Sequence, residues 1–322
     1  MGISLVTGLD IGRHSIKAVV IKPSKDAFAL VAYRTLPIEA SILADNHRLN
    51  YQKIVKKLKE LRKSLPLFSH KVAFAIPDNQ VITKVLQIDS EFSRAERELA
   101  IYQIFASQCA FSADQLCLDY SVTDPVTPQG GVHYRVHATK RAPLLELSNA
   151  IAQANFKPIV ADVASYALNQ CWHQVAQSQH SYDWLLVDLG FTQCRFSIGL
   201  PSGEVYAKSW RLEAQLHDEQ EVVNSLCEIL RSAMHRLTSL HKIELKGIWL
   251  SGEVDKCPDL AVKLSCELGI KVEPLNPLGL FQHLSTTKRC TSKASTSNGY
   301  ALAVGLALRA SQWQERQYAR AD

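Results

Sequence analysis

The sequence predicts a mixed α/β fold made by duplication: two lobes of similar plan, with a small α+β insertion inside the first. Three observations carry this reading. An apolar, strand-like run ends in Asp-x-Gly at Asp10-Ile11-Gly12 and again at Asp188-Leu189-Gly190. Shifting the first copy by 178 positions also sets Lys17 on Arg195 and Pro23-Ser24 on Pro201-Ser202. Both copies share the order apolar strand, Asp-x-Gly turn, basic strand, Pro-Ser turn, third strand. One Asp-x-Gly says little, because Asp and Gly are common in turns. Two in matching contexts, half a chain apart, point to a repeated lobe.

Strands are expected over residues 5–11, 16–21 and 27–36, the last two joined by the turn 23–26. Residues 49–65 place Ile54, Leu58, Leu61 and Leu65 on one helical face. Lys53, Lys56, Lys57, Lys59, Arg62 and Lys63 surround it. That pattern describes an outer cover of the first lobe with a solvated basic face, not a membrane anchor. Residues 71–76 and 81–88 read as strands about the turn at Pro77-Asp78-Asn79, and Ser93 with Glu96 caps a helix reaching 107. Residues 117–123 and 132–139 form a hairpin around the loop 124–131. His133 and His137 share one face of it, but two ligands do not make a metal site. Helices follow over 143–154 and 162–179.

From Trp184 the plan begins again and runs to about Leu212. A long helix over 218–240 leads to a strand ending Ile248-Trp249-Leu250-Ser251-Gly252, then to a helix over 257–268 and a short strand over 271–273. The Ser-, Thr-, Lys- and Asn-rich stretch 285–298 reads as a mobile loop, and a small-residue helix over 300–309 closes the fold. The lobes are expected at 1–180 and 183–318, the insertion at about 78–141.

Composition narrows the function. A chain of 322 residues, 47% apolar, buries a full core in about two domains. Its net charge of +5 and pI of about 8.7 fall short of the concentrated basic stripe a nucleic-acid groove needs, so no nucleic-acid partner is expected. No apolar run approaches the about 20 residues of a membrane span. The first twelve residues carry Asp10 and no basic cluster, so no signal peptide is expected. The eight cysteines include no CxxC pair and sit mostly in apolar stretches, as reduced thiols of a cytoplasmic protein do.

The repeated turn has a specific chemistry. A Gly just after a strand lets the backbone turn sharply, so that its N–H groups can face phosphates. An Asp at the strand end can hold Mg²⁺ through waters. Two such hairpins facing each other clamp a nucleotide. The candidate cofactor-binding residues are therefore Asp10, Gly12, Arg13, His14, Ser15 and Lys17 in the first copy, Asp188, Gly190 and Thr192 in the second, and Gly252. Asp10 and Asp188 are the candidate metal ligands. No catalytic triad, P-loop or zinc pattern occurs elsewhere.

Gly8-Leu9-Asp10-Ile11-Gly12 with Ser15-Ile16-Lys17 resembles the opening motif of the actin-like ATPase superfamily and, within it, of the PilM family of type IV pilus assembly proteins. Val72-Ala73-Phe74-Ala75-Ile76-Pro77 resembles the family's next strand. Phe156-Lys157-Pro158-Ile159-Val160 with Asp162 and Ala167-Leu168 resembles its connecting segment, and Val304-Gly305-Leu306-Ala307-Leu308-Arg309 its terminal helix. The resemblance spans nearly the whole chain in order. It implies an actin-like (ribonuclease H-like) two-lobe fold, with ATP and Mg as cofactors of intact members. It also implies a cytoplasmic protein, peripheral at the inner membrane. The implied partner is the cytoplasmic tail of an inner-membrane pilus assembly protein similar to PilN, lying in a groove on the first lobe. The membrane is then met only through that partner, and homo-oligomerisation is left open.

The departures from the family pattern matter as much. Small hydroxyl residues are expected after each Asp-x-Gly, but Arg13-His14 and Phe191 stand there. The adenosine motif, a strand followed by Gly-Gly, reads Ser251-Gly252-Glu253. Between Trp210 and Val222, about a dozen residues replace the small subdomain that holds adenosine in nucleotide-binding relatives. Asp162 and Ser165 are present in the connecting segment, where no Gln is available to orient water. The sequence-based expectation is an assembly scaffold with a degenerate nucleotide cleft, no catalytic residues, and ATPase activity absent or very weak. The alternative is an ATP-binding conformational switch of the same machinery. A sugar-kinase-like enzyme would need insertions for which the chain is too short.

Overall fold

Apolar and β-branched residues open the chain as a meander of β1 (Val6–Ile11), β2 (Ser15–Pro23) and β3 (Phe28–Pro37). The computed structural model describes residues 4–24, 27–39, 42, 50–124, 131–212, 218–283 and 297–318. Its contacts divide it into two units, Met1–Ala75 with Ile151–Asp322, and Ile76–Ala150.

In the first unit, β2 pairs antiparallel with both β1 and β3, while β4 (Lys71–Ile76) joins β1 in parallel. With β8 (Lys157–Val163) and β14 (Gln282–His283) the sheet runs β14-β3-β2-β1-β4-β8. The second sheet repeats this plan. It holds β9 (Trp184–Leu189), β10 (Gln193–Gly199), β11 (Val205–Arg211), β12 (Gly247–Gly252) and β13 (Lys271–Pro274) in the order β11-β10-β9-β12-β13. Here too the meander is antiparallel, and β12 lies parallel to β9. A three-strand meander followed by parallel strands on the far side of its first strand thus occurs twice, and the fold is a duplicated α/β fold.

Between β3 and β4, α1 (Tyr51–Ser64) buries Ile54, Val55, Leu58 and Leu61 and leaves Lys53, Lys56 and Lys59 exposed. It is the cover its pattern predicts. Asn50 caps it by accepting from the Lys53 N–H at 3.2 Å. In the second half, α5 (Glu219–His241) takes the corresponding place between β11 and β12, capped by Asp218.

Two helices exchange places. After α3 (Arg141–Gln153) and β8, α4 (Ala164–Gln179) closes the first half by sequence, yet it packs on the second sheet. Its Trp172 donates Nε1–H to the Trp184 carbonyl at 2.7 Å, and its Asn169 donates to Ser197 Oγ at 3.1 Å. The last helix, α7 (Ala301–Tyr318), packs on β1 and β2 of the first sheet. Glycines permit both approaches. A Cβ on Gly8 would lie 1.9 Å from the Ala303 carbonyl oxygen, and one on Gly305 1.8 Å from that of Ala167. One continuous core follows, in which Val6 and Val19 share a cluster with Val187, Phe196 and Leu250. Cys171 and Cys194 lie in it, where burial pushes their thiols up, and no disulfide joins the described cysteines.

The second unit is a meander of β5 (Val81–Asp89), β7 (Gly131–Lys140) and β6 (Leu116–Asp124), all antiparallel, with α2 (Arg94–Ser107) beside it. Leu86, Ile88, Tyr134 and Val136 of the sheet bury against Ile101 and Phe105 of α2. Both halves of the expected capping box form, with Ser93 Oγ accepting from Glu96 N–H and Glu96 accepting from Ser93 N–H.

Three expectations need correction. The helix expected from 162 begins at Ala164, because β-branched Ile159, Val160 and Val163 extend as β8 at the sheet edge. The helix expected from 257 is α6 (Leu260–Leu268), displaced by Pro258 and a 3₁₀ turn at Val254–Lys256. The terminal helix runs on to Tyr318. Of the stretch read as a mobile loop, residues 285–296 lie outside the described residues, while Ser297 and Asn298 open a 3₁₀ turn.

Candidate functional site

The two Asp-x-Gly turns have the same geometry because they have the same local sequence logic. Gly12 N–H donates to the Ser15 carbonyl at 3.0 Å, and Gly190 N–H to the Gln193 carbonyl at 2.9 Å. In each hairpin the Asp sits opposite the basic residue of the next strand, Asp10 across from Lys17 and Asp188 across from Arg195. The 178-residue offset is therefore a structural equivalence.

The structure brings the turns together. The rings of His14 and Phe191 meet with centroids 4.1 Å apart and tilted by 39°. The Lys256 ammonium lies over the Phe191 ring, 5.2 Å from its centroid. The two hairpin tips thus meet through an aromatic contact.

The end of β12 completes the site. Ser251 and Gly252 pair with Asp188 and Leu189, and Glu253 N–H donates to the Leu189 carbonyl at 2.7 Å. Gly252 has φ +94°, and a Cβ there would lie 2.1 Å from the Leu189 carbonyl oxygen, so the position requires glycine. That turn aims the Glu253 carboxylate at Lys17, 2.9 Å from its ammonium. Gly299 packs over the same ammonium, and Ser251 Oγ donates to the Asn298 carbonyl at 2.6 Å.

The two hairpins have consequently diverged in their electrostatics. Arg195 stays with its cross-strand Asp188, at 3.2 Å. Lys17 instead reaches across 236 residues of chain to Glu253. Burial holds the Asp10 carboxyl above its ordinary range, Lys17 and Arg195 pull it down, and the nearby Asp188 and Glu253 push it further up. Burial would lower the Lys17 ammonium, but Glu253 and then Asp10 outweigh it and hold the group above its ordinary value.

Of the remaining candidates, Arg13 and Ser15 are half-buried in the first turn, and the Thr192 carbonyl accepts from Leu212 N–H at 3.0 Å. Asp162 is engaged elsewhere, accepting from Arg309 Nε at 2.6 Å, and Ser165 is buried. Lys256 and Gly299 are site residues that the sequence reading missed. No local pattern marks them, because both arrive from other elements. Of the segment between Trp210 and Val222, residues 213–217 lie outside the described residues, and β11 and α5 are separated by Leu212–Asp218 alone. Among the described residues, no three His, Cys, Asp or Glu side chains converge as a metal site. No described helix is long and apolar enough to cross a membrane.

The fold is shared with solved structures. The structure of a "PilM-PilN type IV pilus biogenesis complex" matches with TM-score 0.75 and 20% identity, over 95% of this chain and 98% of that one. The ethanolamine utilization protein EutJ from Carboxydothermus hydrogenoformans matches with TM-score 0.52 and 11% identity, over 96% of this chain and 90% of that one. The cytoplasmic domain of EpsL, an inner-membrane component of the type II secretion system of Vibrio cholerae, matches with TM-score 0.50 and 9% identity, over 95% of each chain. No curated protein matches in sequence. The model of the type IV pilus assembly protein PilM matches residues 8–223, a span that takes in both Asp-x-Gly hairpins and the whole of the second unit. With most of the chain covered and the duplicated fold in place, this protein belongs to the PilM family of type IV pilus assembly proteins.

Proposed function

We propose that the chain is a non-catalytic scaffold of a type IV pilus-type assembly platform. It is cytoplasmic and binds the cytoplasmic tail of a PilN-like inner-membrane protein, which attaches it to the membrane. Family membership supports the pilus role, and the similar PilM–PilN complex supports the partner. By sequence the proposed lobes are 1–180 and 183–318, with α4 of the first packed on the second sheet and α7 of the second on the first. The two Asp-x-Gly turns lie on either side of a cleft that, in this reading, no longer serves a nucleotide.

The observation that carries the degenerate cleft is its occupation by the chain's own side chains. The His14–Phe191 contact stands between the two turns that would hold phosphate. Lys17 is taken by Glu253 and Asp188 by Arg195, so neither group is at liberty for a phosphate or a cation. Asp10 is disfavoured as a carboxylate by its burial, which suits a metal ligand poorly. Seven residues between β11 and α5 leave no room for an adenosine-holding subdomain. These residues do not fit Mg–ATP. A hydrogen bond to a charged group contributes about 1.5–3 kcal/mol. Losing two or three weakens binding by about two to six decades.

The competing reading, an ATP-driven switch, has the two preserved turns at Gly12 and Gly190 in its favour. Calorimetric titration separates the two. The scaffold predicts no binding of Mg–ATP in the micromolar range, together with intact binding of the partner's tail peptide. Micromolar Mg–ATP binding that disappears in Asp10→Ala would refute the degenerate cleft.

A further inference from the structure

The basic side of α1 and the turn that follows it form a surface with no part in the cleft. Between Tyr51 and Lys71 the chain carries seven Lys or Arg residues and one acid, Glu60. That acid is paired with Lys57 at 3.2 Å, and Lys53 with Glu39 at 3.0 Å, which leaves Lys56, Lys59 and Lys63 in excess. Lys56, Lys59 and Lys63 recur at helical spacing and line a groove of about 760 Å³ whose far wall includes Gln153.

Just beyond the helix, Leu67 is 81% exposed and Phe68 76% exposed, the highest values among the described large apolar side chains. The turn presenting them is pinned from behind. Arg62 donates to the carbonyls of Pro66 at 2.9 Å, of Leu67, and of Asn155 at 3.4 Å. Buried Ser69 donates its hydroxyl to the Pro66 carbonyl at 2.6 Å, and Thr7 of β1 donates to the Ser69 carbonyl at 3.0 Å. The lysine groove and the apolar tip border the same neighbouring turn, through Gln153 and Asn155. Burial, and then the charges of Arg62, Lys71 and Lys157, hold the nearby His70 imidazole below its ordinary pKa.

Single exposed apolar residues need no explanation. An adjacent Leu-Phe pair, held outward on a pinned turn and bordered by a surface with an excess of cations, is the composition of an interfacial membrane contact. An acidic peptide would account for the lysine row alone. A protruding pair more than three-quarters exposed is shaped to enter a soft interface rather than to wrap a chain.

We infer that this face docks on an anionic lipid surface, with Leu67 and Phe68 entering the headgroup–acyl boundary and Lys56, Lys59 and Lys63 lying over lipid phosphates. This departs from the expectation that the basic face of α1 is only solvated, and adds a direct contact to the expectation that the membrane is met only through the partner. It goes beyond the scaffold reading and is independent of the cleft. Stable attachment at a membrane commonly takes two weak signals, and this face supplies the second beside the partner's tail.

The test is co-sedimentation of the full chain, with no partner peptide present, on phosphatidylcholine vesicles with and without phosphatidylglycerol. Binding is expected only with the anionic lipid, falling as salt rises. The triple variant Lys56→Gln/Lys59→Gln/Lys63→Gln should weaken it about a hundredfold, since each lysine near an anionic surface is worth about fivefold. Leu67→Ser/Phe68→Ser should weaken it by about tenfold or more while leaving the salt dependence in place. All five positions are exposed, so unchanged unfolding midpoints serve as the control. Failure of the parent chain to bind anionic vesicles, or equal binding by both variants, would overturn the inference. So would capture of an acidic peptide by the lysine row without vesicle binding, which would assign the face to a protein partner. None of these outcomes bears on Mg–ATP titration or on the tail peptide, so the two readings fail separately.

Discussion

The ion pair between Lys17 and Glu253 joins the first hairpin to the end of β12, and its strength can be measured by a double-mutant cycle. The charges lie 2.9 Å apart, with side chains 12% and 19% exposed. At an effective dielectric of about 20, the Coulomb attraction is about 6 kcal/mol. Desolvation of the two ions removes several kcal/mol of this. The net is that of a charge-assisted hydrogen bond, about 2 kcal/mol. Lys17→Met leaves Glu253, Asp10 and Asp188 sharing Arg195 and should cost about 3 kcal/mol, whereas Glu253→Gln leaves Lys17 its attraction to Asp10 and should cost about 2 kcal/mol. The double variant should lose about 3 rather than 5 kcal/mol, a coupling of about 2 kcal/mol. Urea unfolding followed by tryptophan fluorescence reads this cleanly. All five tryptophans, Trp172, Trp184, Trp210, Trp249 and Trp313, lie in the first unit, as the ion pair does. Because the folded Lys17 pKa lies above its ordinary 10.5, the contribution is fully present below that value and lost only as pH rises past it. A coupling below about 0.5 kcal/mol at neutral pH would refute the reasoning, and with it the claim that Lys17 is committed to Glu253.

Asp10 should also lose stability as pH rises, but in the acid range and because its charged form is the disfavoured one. Its folded pKa is raised above 3.8, so between the two values the native state holds more protons than the unfolded state, and stability falls as pH rises through that window. Asp10→Asn should therefore be more stable than the parent at neutral pH, with the gain vanishing in acid, and parallel pH profiles of the urea midpoint would contradict this. Gly305→Val sets a Cβ 1.8 Å from the Ala167 carbonyl, where α7 crosses α4, and neither backbone can yield. It should cost about 3 kcal/mol or more, and an unfolding midpoint unchanged from the parent would show that the helices do not cross this closely.

The hairpins were legible in the sequence because everything that makes them is local. Alternating apolar residues set the strands, Gly12 and Gly190 allow the turns, and a short antiparallel connection fixes the register that puts Asp10 opposite Lys17 and Asp188 opposite Arg195. The cover helix and the capping box of α2 were legible for the same reason: their signals fall within two turns of helix. Their duplication then determined the fold class, since two like meanders, each extended by parallel strands and covered by helices, make a duplicated α/β fold.

Tertiary structure alone decided which partners these local units meet. The pattern of α4 shows an apolar face and not the sheet that receives it, and only the packing places it on β10 while α7 takes the first sheet. The closeness of that exchange rests on glycines, whose lack of a side chain leaves no periodic signal to read. Likewise, Lys17 has Asp10 directly opposite it across the strands, yet its ammonium goes to Glu253, because the left-handed Gly252 aims that carboxylate at it. His14 and Phe191 are ordinary turn residues until the two hairpins face each other. The sequence determined two phosphate-loop-like turns; the long-range packing of one half against the other determined that their own side chains meet in the space between them.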